Sequence, residues 1–133
     1  MDDSKIMNQR TFIDTGTSWE KIAGYARAVR IGNMIAVSGT TATDIHGNVV
    51  GLGDPATQTQ FILTKIENAL TQLGASMQNV IRTRIYVRYI ADWEPVARAH
   101  GERFAIIRPA NTLVEARLVG EEYLVEIEAD AVI

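Results

Sequence analysis

Three carboxylates stand at alternate positions near the end of the chain: Glu126, Glu128 and Asp130, in "LVEIEADAVI". Successive side chains of a β-strand point to opposite faces, so a strand over 123–132 presents all three acids on one face and mainly apolar side chains on the other. A carboxylate held in a crevice beside positive charge could orient a water molecule or carry a proton. The acids are therefore the first candidates for chemistry.

A second predicted strand, over 80–90, carries the opposite charge. Its alternation places three arginines and a tyrosine on one face, Arg82, Arg84, Tyr86 and Arg88, and mostly apolar residues on the other, Ile81, Thr83, Ile85, Val87 and Tyr89. One interpretation is a solvated sheet face with exposed ion pairs, each worth only about 0.2–1 kcal/mol. The other is a face buried against another chain. The pattern alone favours the solvated face.

Composition excludes several classes of function. The 133 residues fit one domain, 1–133, with residues 1–10 expected to be a flexible extension. A net charge of −3 argues against a dedicated nucleic-acid binder, and the absence of cysteine excludes thiolate metal sites and cysteine nucleophiles. No segment approaches the roughly 20 apolar residues of a membrane span, and the N-terminus lacks a signal-peptide core. We expect a cytoplasmic protein that does not bind membranes.

Other motifs are missing or weak. The segment "GLGD" (51–54) lacks the lysine of a phosphate-binding loop, and Ser38 in "VSGTT" lacks the preceding glycine of a nucleophile elbow. Two histidines, His46 and His100, are too few and too far apart for a metal site. We expect His46 to be solvated and His100 to be a packing or hydrogen-bonding residue within a helix, with a pocket-lining role as the alternative.

The elements that must position these residues follow from hydrophobic periodicity and from turn and cap residues. The first part of the chain is predicted to form an edge strand (10–16), a loop (17–24) with Trp19 as a packing anchor, and a Gly32-Asn33 hairpin between strands 25–31 and 34–39. A helix (53–76) capped by Asp54 and the strand 80–90 follow. A second helix (92–108), begun by Asp92 and ended by Pro109, precedes strands 112–118 and 123–132. The segment from 34 to 90 indicates a crossover between parallel strands, and the remaining strands can be antiparallel. The predicted fold class is α+β, one mixed sheet with two helices on one face.

Several segments together resemble the Rid (reactive intermediate deaminase), or YjgF-like, family. They are "YARAVRIGNMIAVSGTTA" (25–42), "LTKIENALTQLGASMQNVIRTRIYV" (63–87), "DWEPVARAHGERF" (92–104), "RPANTLVEARL" (108–118) and "LVEIEADAVI" (124–133). The likeness runs from about residue 20 to the end of the chain. Its most specific part is the closing pair, "PA-x-x-x-VE" followed by "VEIEA".

The resemblance implies a chorismate-mutase-like fold and a homotrimer with three clefts between subunits, so the charged sheet face would pack toward neighbouring chains. It also implies a 2-iminobutanoate/2-iminopropanoate-type deaminase, which hydrolyses reactive enamines and imines without a metal or organic cofactor. Older labels in the family include endoribonuclease.

Site residues carry over by position. The resemblance makes Glu126 the catalytic glutamate that holds the attacking water. It makes Tyr25, Ser38 and Trp93 substrate-binding residues of the cleft.

The chain departs from the family pattern at Asn111. Deaminating members usually read "PAR" where this chain reads "PAN", and that arginine grips the substrate carboxylate. Leu113 stands where many members have cysteine. An arginine–carboxylate pair is charge-assisted, whereas an asparagine amide offers two donors without charge. Arg108 is the first candidate to replace the missing charge, ahead of Arg117, Arg84 and Arg88.

Three interpretations of the cleft stay open. The first is an enamine/imine hydrolase with altered specificity, and the second is a non-enzymatic, ligand-binding or regulatory trimer in which Asn111 is only a turn residue. The third is a different reaction in the same cleft, of which RNA cleavage fits the acidic charge least. In each the partner is a small-molecule ligand.

Overall fold

One six-stranded mixed sheet forms the centre of the molecule. The computed structural model describes residues 9–133, so residues 1–8 of the predicted extension lie outside the description, while Arg10 already begins a strand. The strands are β1 (Arg10–Ile13), β2 (Ala28–Ile31), β3 (Met34–Thr40), β4 (Val80–Val87), β5 (Ala110–Glu115) and β6 (Val125–Val132). They lie in the order β1-β2-β3-β6-β4-β5.

The strand directions confirm the predicted crossover. β6 pairs antiparallel with both β3 and β4, so β3 and β4 run parallel with β6 between them. β1 and β2 continue the antiparallel pairing on the other side of β3. β5 pairs parallel with β4, which the expectation of antiparallel strands did not include. The helix that lies between β4 and β5 along the chain accounts for this, because two parallel neighbours need a crossover element between them.

Within residues 9–133, three α-helices accompany the sheet: α1 (Ser18–Ala23), α2 (Pro55–Gln72) and α3 (Trp93–Phe104). Short 3-10 turns lie at Met77–Asn79 and Ile90–Asp92. Helices α2 and α3 pack on one face, which confirms the predicted α+β architecture. Asp54 caps α2 as predicted, since its carboxylate accepts hydrogen bonds from the Thr57 N–H (3.1 Å) and hydroxyl (2.7 Å). Within residues 9–133, no helix has the length and apolar character needed to cross a bilayer.

The core lies between the sheet and these two helices. Its fully buried side chains include Ile62, Leu63, Ile66 and Leu70 from α2, and Ile85, Val87, Val125 and Ile127 from the central strands. Each large side chain contributes about 1.5–3 kcal/mol by burial. The opposite side of the sheet, which we call the uncovered face, carries the half-buried Glu126, Glu128 and Asp130.

The predicted hairpin joins β2 and β3 through Gly32 and Asn33. Gly32 has a positive φ, at 60°, and Asn33 does not. A positive φ at the first turn position alone is the signature of a type II′ turn, which glycine adopts without steric cost.

The segment 17–24 is a helix rather than the predicted loop. Its six residues are too few to show a hydrophobic period, and its ends stabilise it instead. Gly24 ends α1 in the left-handed conformation (φ 73°) and donates its N–H to the carbonyl of Glu20 (3.0 Å). Trp19 packs edge-on against Tyr123 with ring centroids 6.0 Å apart, as expected of a packing anchor.

Two further expectations need correction. A register shift between Val80 and Arg82 turns Ile81 outward, with 53% of its surface exposed, so Ile81 does not share the core face with Thr83. Helix α3 ends at Phe104, four residues before the predicted end. The N–H of Arg108 donates to the carbonyl of Phe104 (2.8 Å) from a left-handed backbone (φ 54°) and so closes the last turn.

Candidate active site

The carboxylate of Glu126 lies against a bulge in β3. The register between β3 and β6 shifts between Val37 and Thr40, so Ser38 and Gly39 form the irregular segment. A Cβ built on Gly39 would overlap Oε2 of Glu126. Gly39 therefore provides the space in which this carboxylate sits, and no other residue type could do so without displacing it.

Burial raises the pKa of Glu126 above its ordinary value of 4.5, and the negative charge of Glu128 raises it further. The guanidinium of Arg27 opposes both effects. Within residues 9–133, no side chain hydrogen-bonds to the Glu126 carboxylate. A carboxylate with a raised pKa and unused acceptor positions is suited to accept a proton from water near neutral pH.

Arg27 holds the bulge from within the protein. Its Nη1 donates to the carbonyl oxygens of Gly39 (2.6 Å) and Ser38 (3.4 Å) and to the hydroxyl of Thr40 (3.0 Å). Its Nη2 lies 3.8 Å from a carboxylate oxygen of Glu20. Arg27 and Glu20 are 4% and 5% exposed, so they form a buried ion pair directly behind the bulge.

Glu20 is itself tightly hydrogen-bonded. Its carboxylate accepts from the N–H (3.0 Å) and hydroxyl (2.7 Å) of Thr15 and from the hydroxyl of Thr17 (2.7 Å). Burial raises the pKa of Glu20, but these hydrogen bonds and Arg27 outweigh that effect, and the net shift is downward. Glu20 therefore stays ionised beside Arg27.

A cavity of about 730 Å³ opens on the uncovered face next to the bulge. Its walls include Tyr25 and Ser38, together with Phe12, Ala36, Glu128 and Asp130. The hydroxyl of Ser38 donates to the carbonyl of Ala26 (2.7 Å), which leaves its oxygen able to accept from a ligand. The Tyr25 ring lies 5.6 Å from the Arg27 guanidinium. The structure thus brings Tyr25 and Ser38 together in one cavity wall, and Ser38 directly precedes Gly39, over which the Glu126 carboxylate lies.

The other two acids have partners on β4. Glu128 accepts from the hydroxyl of Tyr86 (2.8 Å), and this hydrogen bond raises the pKa of Tyr86. Arg84 lies 3.2 Å from Asp130 and 3.6 Å from Glu128. These contacts leave Glu126 as the acid of the row whose carboxylate is free to act on a ligand.

Asn111 lies elsewhere, with its side chain on the helix side of the sheet. Its amide Nδ2 donates to the hydroxyl of Thr83 (2.9 Å), which in turn lies 2.9 Å from Nε2 of His100. Thr83 is fully buried, and burial lowers the pKa of His100. His100 is therefore the buried hydrogen-bonding residue that the sequence predicts.

The remaining predicted site residues also lie apart from Glu126 within one chain. Leu113 pairs with Ile85 and packs partly buried against the core. Trp93 begins α3 and is 51% exposed, and Arg108 is exposed between α3 and β5. Among residues 9–133, no group of three or more His, Asp or Glu side chains is placed to hold a metal ion.

The fold and the bulged strand define a YjgF-like protein with a chorismate-mutase-like architecture. The sequence family described as Endoribonuclease L-PSP matches residues 15–133. The chain belongs to this family, which includes the Rid and YjgF-like proteins.

Individual relatives agree with this assignment. The 3-aminoacrylate deaminase RutC of Acinetobacter baylyi is 34% identical over 110 residues, which cover 83% of this chain and 87% of the relative. An uncharacterized protein of Streptomyces coelicolor is 36% identical over 121 residues, or 90% of this chain and 89% of the relative. The crystal structure of Rv2704 from Mycobacterium tuberculosis, a member of the YjgF/YER057c/UK114 family, is 43% identical and superposes with a TM-score of 0.85 over 94% of this chain and all of that one.

Proposed function

We propose that this protein hydrolyses reactive enamine or imine metabolites, with a specificity different from that of carboxylate-gripping family members, in clefts between the subunits of a homotrimer. The observation that carries the proposal is the half-buried carboxylate of Glu126, which lies over Gly39 beside a cavity lined by Tyr25 and Ser38. The 34% identical relative RutC acts on 3-aminoacrylate, a molecule with an enamine nitrogen.

The reaction needs one group that can take up and return a proton. Water adds to the C=N carbon of an imine to give a carbinolamine, and the C–N bond then breaks to release ammonia and leave a carbonyl. Glu126 takes a proton from the attacking water and gives it to the imine nitrogen, and it then moves the hydroxyl proton of the carbinolamine to the same nitrogen, so that ammonia leaves as the C=O bond forms. Tyr25 and Ser38 hold the substrate, and Ser38 offers its hydroxyl oxygen as an acceptor to an N–H of the ligand.

In this proposal, substrate specificity depends on Asn111 and on the residues that surround it at the cleft between two subunits. An asparagine supplies no charge, so the bound group is neutral or meets an arginine such as Arg108 instead. A charge-assisted hydrogen bond contributes about 1.5–3 kcal/mol, against about 1 kcal/mol for a neutral one. We therefore expect an Asn111 cleft to bind small carboxylates roughly 2- to 30-fold more weakly than an arginine cleft.

The trimer is supported by the character of the uncovered face. Phe12 and Val114 expose 57% and 42% of their surface, and the cavity is open on this side. A neighbouring subunit would cover these side chains and bring its own Asn111, Leu113 and Trp93 to the rim of the cavity. Light scattering should then give three times the chain mass of 14.7 kDa, and a monomer would contradict this part of the proposal.

The experiment generates imines in situ with an amino-acid oxidase and traps whatever remains unhydrolysed. Amino acids with neutral, acidic and basic side chains are compared. Wild type should lower the amount of trapped imine for at least one of these amino acids. Glu126→Gln, which keeps the shape but not the basicity, should lose about 100-fold or more of that rate.

The matched control is Glu102→Gln, the same substitution at an exposed position of α3 on the helix side of the molecule. It should keep the wild-type rate. If wild type hydrolyses none of the imines, or if the two variants behave alike, Glu126 is not a catalytic residue of an imine hydrolase.

The alternative is a non-enzymatic ligand-binding trimer. The observation that favours it is the engagement of the Asn111 amide with Thr83, which leaves one N–H fewer for a ligand. Asn111→Arg separates the two functions. If wild type hydrolyses no imine and Asn111→Arg does, the catalytic cleft is intact. Wild type would then be a trimer that binds its natural ligand without hydrolysing it.

A further inference from the structure

We propose that Arg27 is a positioning residue for Glu126: its guanidinium fixes the Ser38–Gly39 bulge beneath the carboxylate and supplies the positive charge that keeps the carboxylate ionised. This inference rests on the proposed function only in that an ionised Glu126 is the form that accepts a proton from water. The contacts from which it is argued lie within a single chain.

The first step is mechanical. Glu126 occupies the space above Gly39, so the position of its carboxylate depends on the path of the backbone through the bulge. A bulge interrupts the ladder hydrogen bonds and leaves backbone groups in need of other partners. Nη1 of Arg27 supplies such a partner to two successive carbonyls, those of Ser38 and Gly39, at 3.4 and 2.6 Å. Arg27 therefore sets the floor on which the carboxylate sits.

The second step concerns charge. A neutral donor could satisfy these carbonyls at lower desolvation cost than a buried guanidinium. Moreover, Nε of Arg27 is buried without a hydrogen-bond partner among residues 9–133. Hydrogen bonding alone is thus an incomplete account of an arginine at this position, whereas its charge acts on Glu126 directly by lowering the pKa of that carboxyl.

The third step is the balance of charges around Glu126. Burial and the neighbouring Glu128 both raise the pKa of Glu126, and Arg27 is the positive group that opposes them. On β4, Tyr86 faces Glu126 in register, and its hydroxyl is committed to Glu128. Glu20 carries the opposite charge beside Arg27, but it is not among the groups that shift the pKa of Glu126, whereas Arg27 is. Without Arg27, Glu126 would face burial and a like charge unopposed.

The test measures the titration of Glu126 without requiring turnover. Carboxyl ¹³C resonances of the full-length protein are followed by NMR as pH is changed, and Glu126 is assigned from its absence in Glu126→Gln. Arg27→Gln should raise the midpoint of Glu126 by about one pH unit or more. Arg27→Lys, which keeps the charge, should leave the midpoint within about half a unit of wild type.

Arg103→Gln is the matched control, since Arg103 pairs with Glu67 on the helix side of the molecule. It should not move the midpoint of Glu126. An unchanged midpoint in a folded Arg27→Gln protein would overturn the proposal. If that variant does not fold, Arg27→Lys still decides, because a rise of a full unit with the charge retained would equally overturn it.

Activity provides a separate readout. Where the imine assay reports turnover, the acidic limb of kcat/KM against pH should move with the NMR midpoint in Arg27→Gln. A shifted midpoint in a protein that hydrolyses no imine would support the role of Arg27 and refute the proposed function. Turnover by wild type together with an unshifted Glu126 midpoint in Arg27→Gln would support the proposed function and refute the role of Arg27.

Discussion

Replacing Thr83 by valine should show how much stability the hydrogen bonds that link Asn111, Thr83 and His100 contribute through the Thr83 hydroxyl. The Thr83 hydroxyl accepts from Nδ2 of Asn111 and lies 2.9 Å from Nε2 of His100. The hydroxyl oxygen can accept from Asn111 and still either donate its proton to Nε2 or accept one from it, so the contact fits either tautomer of a neutral imidazole. This agrees with the lowered pKa that burial gives His100.

The magnitude follows from what the substitution leaves behind. Valine has nearly the shape of threonine, so no cavity forms around a residue that is fully buried. The lost hydrogen bond contributes about 1 kcal/mol, and a buried ring nitrogen left without a partner costs about 1–3 kcal/mol. Asn111 is exposed and can turn to water. Thr83→Val should therefore lower the free energy of unfolding by roughly 2–4 kcal/mol.

A double-mutant cycle distinguishes this explanation from lost packing. His100→Leu removes the other polar partner, and replacing both partners by apolar groups is close to neutral. The two costs should thus fall short of additivity by about 1–2 kcal/mol. Urea unfolding at pH 7.5, at one fixed protomer concentration, measures each variant, and Thr83→Ser controls for the methyl group. Additivity within about 0.5 kcal/mol would refute the coupling through the hydroxyl.

Two further predictions concern stability. Lys65 donates to the carbonyls of Thr41 and Thr43, and burial and the charge of Arg27 lower its pKa to about 8. The unfolded chain therefore keeps this proton to a higher pH than the folded chain. The free energy of unfolding should then rise between pH 8 and 10 by up to about 1 kcal/mol per pH unit. Lys65→Met should flatten this slope in urea titrations at several pH values, and an unchanged slope would contradict the assignment. Arg108→Gly should raise the free energy of unfolding by up to about 1 kcal/mol, because glycine adopts the left-handed backbone (φ 54°) without steric cost. Arg108→Ala keeps the Cβ and should not stabilise, so equal gains in both variants would point to the lost charge instead.

Periodicity predicted the main elements because burial decides them. Helix α2 and strand β6 each present one continuous apolar face, and both were predicted within a few residues. Helix α1 has no such face and depends on contacts around Glu20 that join it to the residues before it. The bulge that turns Ile81 outward likewise depends on pairing with a strand some fifty residues away along the chain. Local pattern carries neither kind of information.

The site was predictable only in part for the same reason. Alternation placed Glu126 on the uncovered face, and the family resemblance singled it out from the other two acids. Arg27 is one of two arginines among the apolar residues of "YARAVRI", and nothing in that pattern indicated that its side chain folds back beneath the β3 bulge. A buried charge in an apolar run is a usable signal, because such charges are almost always paired.

Under the proposed function, the positions of Asn111 and Glu126 would make substrate specificity depend on assembly. Asn111 pairs in register with Thr83, whose side chain faces the helices, whereas Glu126 pairs with Tyr86 on the uncovered face. Two side chains on opposite faces of one sheet cannot grip the same small molecule. Any direct contact between the new arginine of Asn111→Arg and a substrate beside Glu126 must therefore be made across an interface between two copies of the chain. If the protein is a monomer in solution and Asn111→Arg still changes substrate preference, that change acts through β4 and not through the ligand.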